Sequence, residues 1–371
     1  MVSLDVIVPS FRLQSEYLTA IVSMDIPSEA KVRFLIISDN PQGKIPADFA
    51  TQVDNDKVIL IANEANYGVS KTRNIGIDKS TADWILFLDD DVKPPKDLLI
   101  NYLKAIIERP GEVGFLGEVI FPESINSFTA GLRAGSILAG FSVARLREHS
   151  KCAATANVVV KRSAIGDVRF LEIYDKRGAC EEADFFLRIY NNTKQELQCL
   201  TNTPVYHDWW NKGKRDYSRF IRVNGGAAIL MQKFPQYSFY TFPNMVECFL
   251  VGLPLTLIVC FCIHSFLPIL CVSIGVLAGE FIVEFMRLQK SGGLGKSKFT
   301  HEVIWVRAAI DYGRLKMQFQ KFTIFQGISK RFDFFCNGKN INYQRFWAAI
   351  KFFAYLFISI GVYFLIKYLS R

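Results

Sequence analysis

The chain has 371 residues, of which 50% are hydrophobic, 14% aromatic and 21% charged. This composition excludes a disordered, collagen-like or small disulfide-bonded protein. Its eight cysteines never occur with C-x-x-C spacing, so they predict neither a zinc site nor a disulfide framework. The formal net charge is +9, and the segment 287–345 alone holds 12 Lys and Arg against 3 Asp and Glu. The N-terminus lacks the features of a signal peptide, so we expect the N-terminal part to stay in the cytosol.

Short apolar runs alternate with helical patterns over the first 120 residues. The runs at 4–9, 32–38, 57–62, 83–88 and 113–121 predict β-strands, because they are short, rich in β-branched residues and bounded by polar turns. Helices are predicted at 14–23, 69–79 and 96–108. Strands this apolar are typical of a sheet that helices cover on both faces. We therefore predict an open α/β sheet that binds its ligands beyond the carboxyl ends of its strands.

The pattern from 153 to 235 is less regular. It predicts a strand at 154–161, a helix at 181–192, a strand near 204–207 and a helix at 216–232. We interpret these elements as the completion of the same domain, which then spans residues 1–235.

Two apolar stretches follow this domain. Residues 246–286 are about two bilayer crossings long. Their sequence predicts a transmembrane hairpin with a turn at His264, Ser265 and Pro268, although a single long tilted helix or a re-entrant pair remains open. The second stretch, 346–368, predicts a third membrane helix in which Lys351 reaches to the interface.

The basic segment 287–345 lies between these stretches, and aromatic residues recur there at helical spacing among Arg and Lys. This pattern predicts an amphipathic helix on an anionic membrane surface. A solvated basic linker is the alternative. Nucleic acid is not an expected partner, because the basic residues are flanked by membrane stretches.

The sharpest chemical feature is the run Asp89, Asp90 and Asp91 at the end of an apolar strand. Adjacent carboxylates repel one another, so a fold that keeps them together supplies a cation. Mg²⁺ and Mn²⁺ bind carboxylate and phosphate oxygens together. The run therefore predicts a divalent metal and a diphosphate substrate, with a solvated acidic turn as the alternative.

Polar clusters also follow the other predicted strands. The first strand opens with V-I-V-P-S-F, the second ends at Ser38-Asp39-Asn40, and the third precedes N-Y-G-V-S-K-T-R-N-I-G. Together with F-L-D-D-D-V, this set resembles family 2 glycosyltransferases of the GT-A fold, over residues 1–235. The resemblance implies a nucleotide-diphospho-sugar transferase domain with a Rossmann-like mixed sheet, followed by transmembrane and interfacial helices.

The resemblance also implies roles for individual residues. Asp39 would meet the base, Arg73 would stabilise the nucleotide, Asp89 would contact the ribose and Asp91 would bind the metal. The nucleotide-sugar site implied in this way consists of Pro9, Asp39, Asn66, Arg73, Asp89 and Asp90. The sequence departs from the family pattern at Asn40-Pro41, which leaves the base open, and at Thr72, where Ala is usual.

The second half of the match starts at Cys180 and is similar to the family motif G-E-D-x-D-L-x-x-R. It implies that Glu182, with Glu181 as its neighbour, supplies the catalytic base. Asp184 and Arg188 are spaced to support one another on a helix.

His207, Trp209 and Trp210 follow a further predicted strand. By analogy with several GT-A enzymes, His207 would complete the metal site, or it would form a hydrogen bond in the acceptor cleft. Trp209 and Trp210 would stack on an acceptor sugar or anchor the chain at the membrane.

These features predict a membrane-anchored, inverting glycosyltransferase that uses Mn²⁺ or Mg²⁺. Its donor would be a nucleoside-diphosphate sugar, its acceptor a lipid-linked or growing glycan hydroxyl as in polysaccharide biosynthesis, and its further partners anionic lipids. The catalytic domain would lie on the cytoplasmic face of a multi-pass protein. A polyprenyl-phosphate glycosyltransferase, a nucleotidyltransferase and a non-catalytic binding module are the alternatives.

Overall fold

The structure is a computed structural model that describes residues 1–370. The strands are β1 (Val2–Ser10), β2 (Ala30–Ser38), β3 (Val58–Ala62), β4 (Trp84–Leu88), β5 (Val92–Lys93), β6 (Gly114–Ile120), β7 (His149–Ser150), β8 (Asn157–Lys161), β9 (Leu197–His207), β10 (Ser238–Tyr240) and β11 (Lys330–Phe332). The helices are α1 (Ser15–Val22), α2 (Ala47–Ala50), α3 (Val69–Lys79), α4 (Leu98–Glu108), α5 (Ser127–Ala134), α6 (Val143–Leu146), α7 (Arg162–Ile165), α8 (Glu181–Thr193), α9 (Ser218–Lys233), α10 (Met245–Glu247), α11 (Leu253–Ile263), α12 (Leu267–Ser297), α13 (Thr300–Gln320), α14 (Ile324–Gly327) and α15 (Ile341–Leu369).

The chain forms two compact units. The first consists of Met1–Glu123 and Leu138–Lys212, and the second of Ser124–Ile137 with the residues from 213 on. The predicted domain limit at residue 235 therefore differs from the structural division. Helix α9 packs on α13 in the second unit, and a Cβ on Gly313 would lie only 2.0 Å from the carbonyl oxygen of Ile221. The sequence pattern of α9 gave no sign of this packing, and the functional extent of the first domain stays a prediction.

The first unit contains the mixed α/β sheet that we predicted. Its strand order is β3-β2-β1-β4-β8-β6-β9-β5, with β7 paired to β9. Strands β1 to β4 pair in parallel, whereas β8 is antiparallel to both β4 and β6. All five residues of β4 are buried, as expected of a strand covered on both faces.

The sheet topology brings the polar strand ends together. Ser10 at the end of β1 pairs in register with Ser38 at the end of β2, and β4 runs parallel to β1. The last residue of β9, His207, pairs with Val92, which directly follows the acidic run. Side chains from widely separated sequence positions therefore meet at one edge of the sheet.

Three helices within residues 1–370 are long and apolar enough to cross a membrane: Met245–Ile263, Leu267–Ser297 and Ile341–Leu369. The first two are separated at the predicted turn. His264 has a φ of +54° and ends α11, and Pro268 lies in the first turn of α12, where its missing N–H costs no hydrogen bond.

Helices α12 and α15 pack closely in the second unit. A Cβ on Gly279 would lie 2.8 Å from Cδ1 of Tyr355. We predicted that Lys351 extends to the membrane interface, and in the structure its Nζ lies 2.5 Å from Glu280 and 2.8 Å from Glu284 on α12. The hydroxyl of Tyr355 donates to Glu280. The apolar pattern of 346–368 gave no sign of these acidic partners.

Helix α13 lies within the basic segment 287–345 and has two different faces. Val303, Val306 and Leu315 are buried, so part of its apolar surface packs on protein. Trp305, Tyr312 and Phe319 are exposed. Residues seven apart lie on one face of a helix, so these three aromatic side chains form a stripe.

Candidate active site

The acidic run forms the turn between β4 and β5. Asp90 and Asp91 are largely shielded from solvent, and the side chain of Asp89 is 32% exposed. The buried strand β4 holds the start of this turn, and the pairing of Val92 with His207 holds its end. The turn is therefore fixed on both sides by the sheet.

Two arginines neutralise this turn. Nη2 of Arg73 lies 3.2 Å from Oδ1 of Asp89, and Nη2 of Arg12 lies 2.8 Å from Oδ2 of Asp91. Arg12 also contacts Asp90, whose Oδ2 accepts a hydrogen bond of 2.7 Å from the hydroxyl of Ser10. We predicted a cation here, but Arg12 and Ser10 are not among the residues predicted for the site. Their position at the end of β1, a strand of the same sheet, was the available signal.

Asp91 and His207, the two predicted metal ligands, lie next to each other. Nε2 of His207 lies 3.2 Å from Oδ1 of Asp91, and Nδ1 lies 2.5 Å from the backbone carbonyl of Asp208. A carbonyl only accepts, so Nδ1 carries the proton and Nε2 faces the carboxylate. Burial would raise the pKa of Asp91, but His207 and Arg12 outweigh burial and hold that pKa well below its usual range.

The pair suits a divalent cation. Ligating histidines commonly hold their second nitrogen against a backbone carbonyl, as His207 does. Neighbouring ligands at about 2.1 Å from an octahedral Mg²⁺ lie about 3.0 Å apart, close to the observed 3.2 Å. No group of three or more His, Cys, Asp or Glu side chains in residues 1–370 forms a metal-binding set. Asp91 and His207 could therefore hold the ion only with further ligands such as phosphate oxygens and water.

Asp39 shapes the loop that precedes α3. It is 6% exposed, and its carboxylate accepts hydrogen bonds from the backbone N–H groups of Tyr67 and Gly68 and from Nδ2 of Asn63. Gly68 has a φ of +87°, a conformation that side chains rarely adopt. Asp39 thus holds the loop. Its predicted contact with the base stays a prediction.

Pro9 and Asn66 lie at the same edge. Pro9 is the penultimate residue of β1 and is half-buried, and Asn66 is exposed in the loop between β3 and α3. The carbonyl of Asn66 accepts a hydrogen bond from Nζ of Lys176. The predicted nucleotide roles of both residues stay predictions.

Arg73 joins the acidic turn to helix α8. It is 4% exposed, and its Nη1 lies 2.7 Å from Oε1 of Glu181. The other oxygen of Glu181 accepts a hydrogen bond of 2.6 Å from the backbone N–H of Ala179. Nε of Arg73 has no hydrogen-bond partner among residues 1–370. Glu181 therefore holds the guanidinium of Arg73 in place, and its predicted part in the catalytic base stays a prediction.

Glu182 has a different environment from that of Glu181. Burial and the neighbouring charge of Glu181 raise the pKa of Glu182 to about 8. Its contact with a side-chain donor is weak, because the hydroxyl of Thr155 lies 3.4 Å from Oε2. A carboxylate with a raised pKa is a competent proton acceptor near neutral pH. Sequence analysis did not identify Thr155.

The residues around the two glutamates are structural. Cys180 precedes α8 with a φ of +70°, which explains why the family motif has Gly at this position. Arg188 and Asp184 form the predicted pair, with 2.5 Å between Nε and Oδ1. Asp184 is fully buried and also accepts from the hydroxyl of Tyr174 at 2.9 Å.

Trp209 and Trp210 occupy different environments. Trp209 is 6% exposed, packs on Phe121 and donates from Nε1 to the carbonyl of Glu123 at 3.0 Å. Trp210 is half-buried, and its Nε1 lies 3.2 Å from Nε2 of His207. Because Trp209 packs as a core side chain, we retain the predicted acceptor contact only for Trp210.

Residues 6–169 match the family model described as glycosyl transferase family 2. This part of the chain is therefore similar to glycosyl transferase family 2. The matched residues contain every strand-end cluster identified in the sequence up to Asp91, whereas Glu182 and His207 lie beyond them.

Similar proteins cover parts of the chain. An uncharacterized glycosyltransferase from Haemophilus influenzae is 32% identical over 125 residues, which are 33% of this chain and 40% of that protein. The amylovoran biosynthesis glycosyltransferase AmsB from Erwinia amylovora is 25% identical over 186 residues, which are 47% of this chain and 60% of that protein. The chain thus spans about half the length of these curated relatives. The crystal structure of S. aureus TarS 1–349 in complex with UDP-GlcNAc superposes with a TM-score of 0.42 and 15% identity, covering 61% of this chain and 66% of that one.

Proposed function

We propose that the chain transfers a sugar from a nucleoside-diphosphate sugar to a hydroxyl acceptor, with inversion at the anomeric carbon. The observation that carries the proposal is that Arg73 contacts both the acidic turn and the start of α8. One side of Arg73 contacts the acidic turn at Asp89, and the other contacts Glu181 beside the proton acceptor Glu182. A diphosphate-binding group and a base are the two elements that a single displacement at a sugar carbon requires.

The side chains have separate tasks in this reaction. The loop held by Asp39 and the guanidinium of Arg73 bind and orient the nucleotide. Glu182 accepts the proton of the attacking acceptor hydroxyl, while the bond between the sugar and the diphosphate breaks on the opposite face. A single displacement of this kind inverts the configuration.

Asp91 and His207 would hold a divalent cation, Mn²⁺ or Mg²⁺. When bound, such a cation stabilises the charge that develops on the departing diphosphate. The geometry of the pair supports this assignment: a 3.2 Å separation and a histidine whose second nitrogen is held by a carbonyl.

The experiment that tests the proposed reaction uses the full chain in lipid nanodiscs with Mn²⁺ or Mg²⁺. A panel of nucleotide sugars is supplied one at a time, and release of the nucleoside diphosphate is followed with and without a glycan acceptor. We expect one donor to be consumed and the product linkage to have the opposite anomeric configuration by NMR. Release of pyrophosphate would indicate a nucleotidyltransferase. Nucleotide binding without turnover on any donor and acceptor would indicate a binding module.

We propose that the acceptor is a lipid-linked or growing glycan, as in polysaccharide biosynthesis. The name of the relative AmsB includes the biosynthesis of a polysaccharide. The helices that are able to cross a membrane support an acceptor at a membrane surface, because anchoring raises the effective concentration of two partners on one surface. A polyprenyl-phosphate acceptor is disfavoured because it is already ionised and needs no base such as Glu182.

We further propose that the segment 287–345 lies on the cytoplasmic leaflet. Its excess of basic residues follows the positive-inside tendency, and α11 and α12 would form a hairpin with both ends in the cytosol. The exposed stripe of Trp305, Tyr312 and Phe319 would enter the headgroup region, where aromatic side chains are favoured. Anionic lipids are the partners that suit this surface.

A further inference from the structure

The loop between β1 and α1 places one arginine on two carboxylates of the acidic turn. Nη2 of Arg12 contacts both Asp90 and Asp91, and its backbone N–H lies 3.4 Å from Oδ2 of Asp90. The hydroxyl of Ser10 accepts from the backbone N–H of Leu13 at 3.1 Å and donates to Asp90. The loop is therefore tied to the turn by backbone as well as side-chain groups.

The two oxygens of Asp91 have two different partners. Oδ1 faces Nε2 of His207 at 3.2 Å, and Oδ2 faces the guanidinium of Arg12 at 2.8 Å. A divalent cation held by Asp91 and His207 would thus stand next to a guanidinium that already neutralises the carboxylate. Two positive charges at such close range repel each other, and they compete for the same oxygen atoms.

Arg12 is also able to leave this position. Its side chain is 47% exposed, in contrast to Arg73, whose side chain is 4% exposed. Asp90 would keep its hydrogen bond from Ser10 if the guanidinium moved away. A guanidinium matches the geometry of phosphate oxygens as well as that of carboxylates.

We propose that Arg12 is a counter-ion of Asp90 and Asp91 that opposes binding of the divalent cation alone. When the cation and the donor bind together, the side chain of Arg12 moves and its guanidinium contacts the donor's diphosphate instead. This inference rests on the proposed function, because it requires a diphosphate donor. The cation and the nucleotide then bind with positive coupling, and Arg12 supplies much of that coupling. By linkage, each ligand strengthens the other by the same factor. Arg12 is a positioning residue for the pair of ligands.

The test compares the full chain in nanodiscs with its Arg12→Gln and Arg12→Lys variants. Binding of Mn²⁺ is measured by electron paramagnetic resonance, first alone and then with UDP, GDP or dTDP. We expect Arg12→Gln to bind Mn²⁺ alone about three- to ten-fold more tightly, because a competing charge is absent. The strengthening of Mn²⁺ binding by the nucleoside diphosphate should fall by a similar factor. Arg12→Lys keeps the charge, so its affinity for Mn²⁺ alone should stay near that of the wild type.

Two controls and a second readout accompany this comparison. Arg169→Gln removes an arginine from a surface pair with Asp78 and should change nothing, whereas Asp91→Asn should abolish Mn²⁺ binding. Mn²⁺ should raise the melting temperature of Arg12→Gln more than that of the wild type, because tighter ligand binding stabilises the folded state more.

The outcomes separate the inference from the proposed function. Unchanged or weaker Mn²⁺ binding by Arg12→Gln, or equal coupling in the wild type and the variant, overturns the role of Arg12 and leaves the proposed transfer intact. If none of the nucleoside diphosphates binds either protein with Mn²⁺, the proposed function fails and the inference fails with it.

Discussion

Nη1 of Arg73 lies 2.7 Å from Oε1 of Glu181, and both side chains are buried. Arg73 lies on α3 and Glu181 begins α8, so this ion pair connects two helices that the sequence separates by more than a hundred residues. The pair gives Glu181 a task that differs from that of its neighbour Glu182.

Glu181→Gln should lower the free energy of unfolding by about 3 kcal/mol, because it leaves the buried guanidinium of Arg73 without its closest carboxylate. Thermal unfolding of the full chain in nanodiscs measures this loss. Glu172→Gln changes an exposed glutamate shortly before α8 and serves as the matched control. Equal melting temperatures of the two variants would contradict the positioning role of Glu181.

Glu182→Gln should reduce turnover by roughly 100- to 10,000-fold, the usual contribution of a general base. Burial raises the pKa of Glu182 to about 8, so kcat/KM of the wild type should rise as pH increases towards that value, while the residual rate of the variant should lack this rise. Rates measured from pH 6 to 9 with saturating Mg²⁺ test both statements. A variant with the same pH dependence as the wild type would assign the base elsewhere.

The same substitution has a consequence for stability. Because the folded-state pKa of Glu182 is raised above the usual value of 4.5 for a glutamate, the wild type loses stability as pH rises from about that value to about 8. Gln carries no charge at any pH. The melting temperature of Glu182→Gln relative to the wild type should therefore increase between pH 5 and pH 8 and then level off.

Cys180 holds a left-handed conformation at the start of α8, with a φ of +70°. A residue with a Cβ pays about 1–2 kcal/mol in this conformation, and glycine does not. Cys180→Gly should therefore be more stable than Cys180→Ala by about 1 kcal/mol. Inside a helix the order of stability is opposite, because glycine is less favourable there than alanine. Ala183→Gly, which lies inside α8, is therefore the matched control and should destabilise the protein. Chemical denaturation of the variants checks the order, and a more stable Cys180→Ala would contradict the strained turn.

Lys351 is the shared cation of Glu280 and Glu284 between α12 and α15. Lys351→Met should lower the free energy of unfolding by about 3 kcal/mol, because it removes the cation that two buried carboxylates share. Lys367→Met replaces an exposed lysine near the end of the same helix and should have little effect. Thermal unfolding in nanodiscs compares the two, and equal melting would mean that the ion pairs do not stabilise the helix pair.

The proposed cytoplasmic location of the segment 287–345 is tested by cysteine labelling. Ser291 and Asn337 are exposed, so Ser291→Cys and Asn337→Cys provide accessible thiols in a background without native cysteines. An impermeant maleimide should label them in broken cells but not in intact cells. Labelling in intact cells would contradict the topology.

Local patterns in the sequence predicted most of the first unit. The helix predicted at 69–79 is α3 (Val69–Lys79), and each of the five predicted strands is present within a few residues. These elements are determined by apolar periodicity and by short polar turns, which are local properties. The acidic run at the end of β4 was recognised for the same reason.

Contacts between distant residues were not predictable in this way. The need for a cation at Asp89 to Asp91 was clear from charge alone, but only the structure identifies Arg12 and Arg73 as resident partners. Similarly, Lys351 interrupts an apolar stretch, and this position predicted a side chain that extends to the membrane interface. Its partners Glu280 and Glu284 lie on another helix, which the local sequence does not show. Each compact unit consists of two separate segments of the chain, so a single boundary along the sequence does not divide the two units.

The close approach at Gly279 has a consequence for the charges beside it. The absent side chain lets Tyr355 lie against α12, where its hydroxyl donates to Glu280, and Lys351 lies one helical turn before Tyr355 on α15. A larger residue at position 279 would push the two helices apart and draw the hydroxyl and the ammonium away from their carboxylates. One added methyl group would thus weaken the contacts of Tyr355 and Lys351 with their carboxylates, although no ionisable residue had been changed.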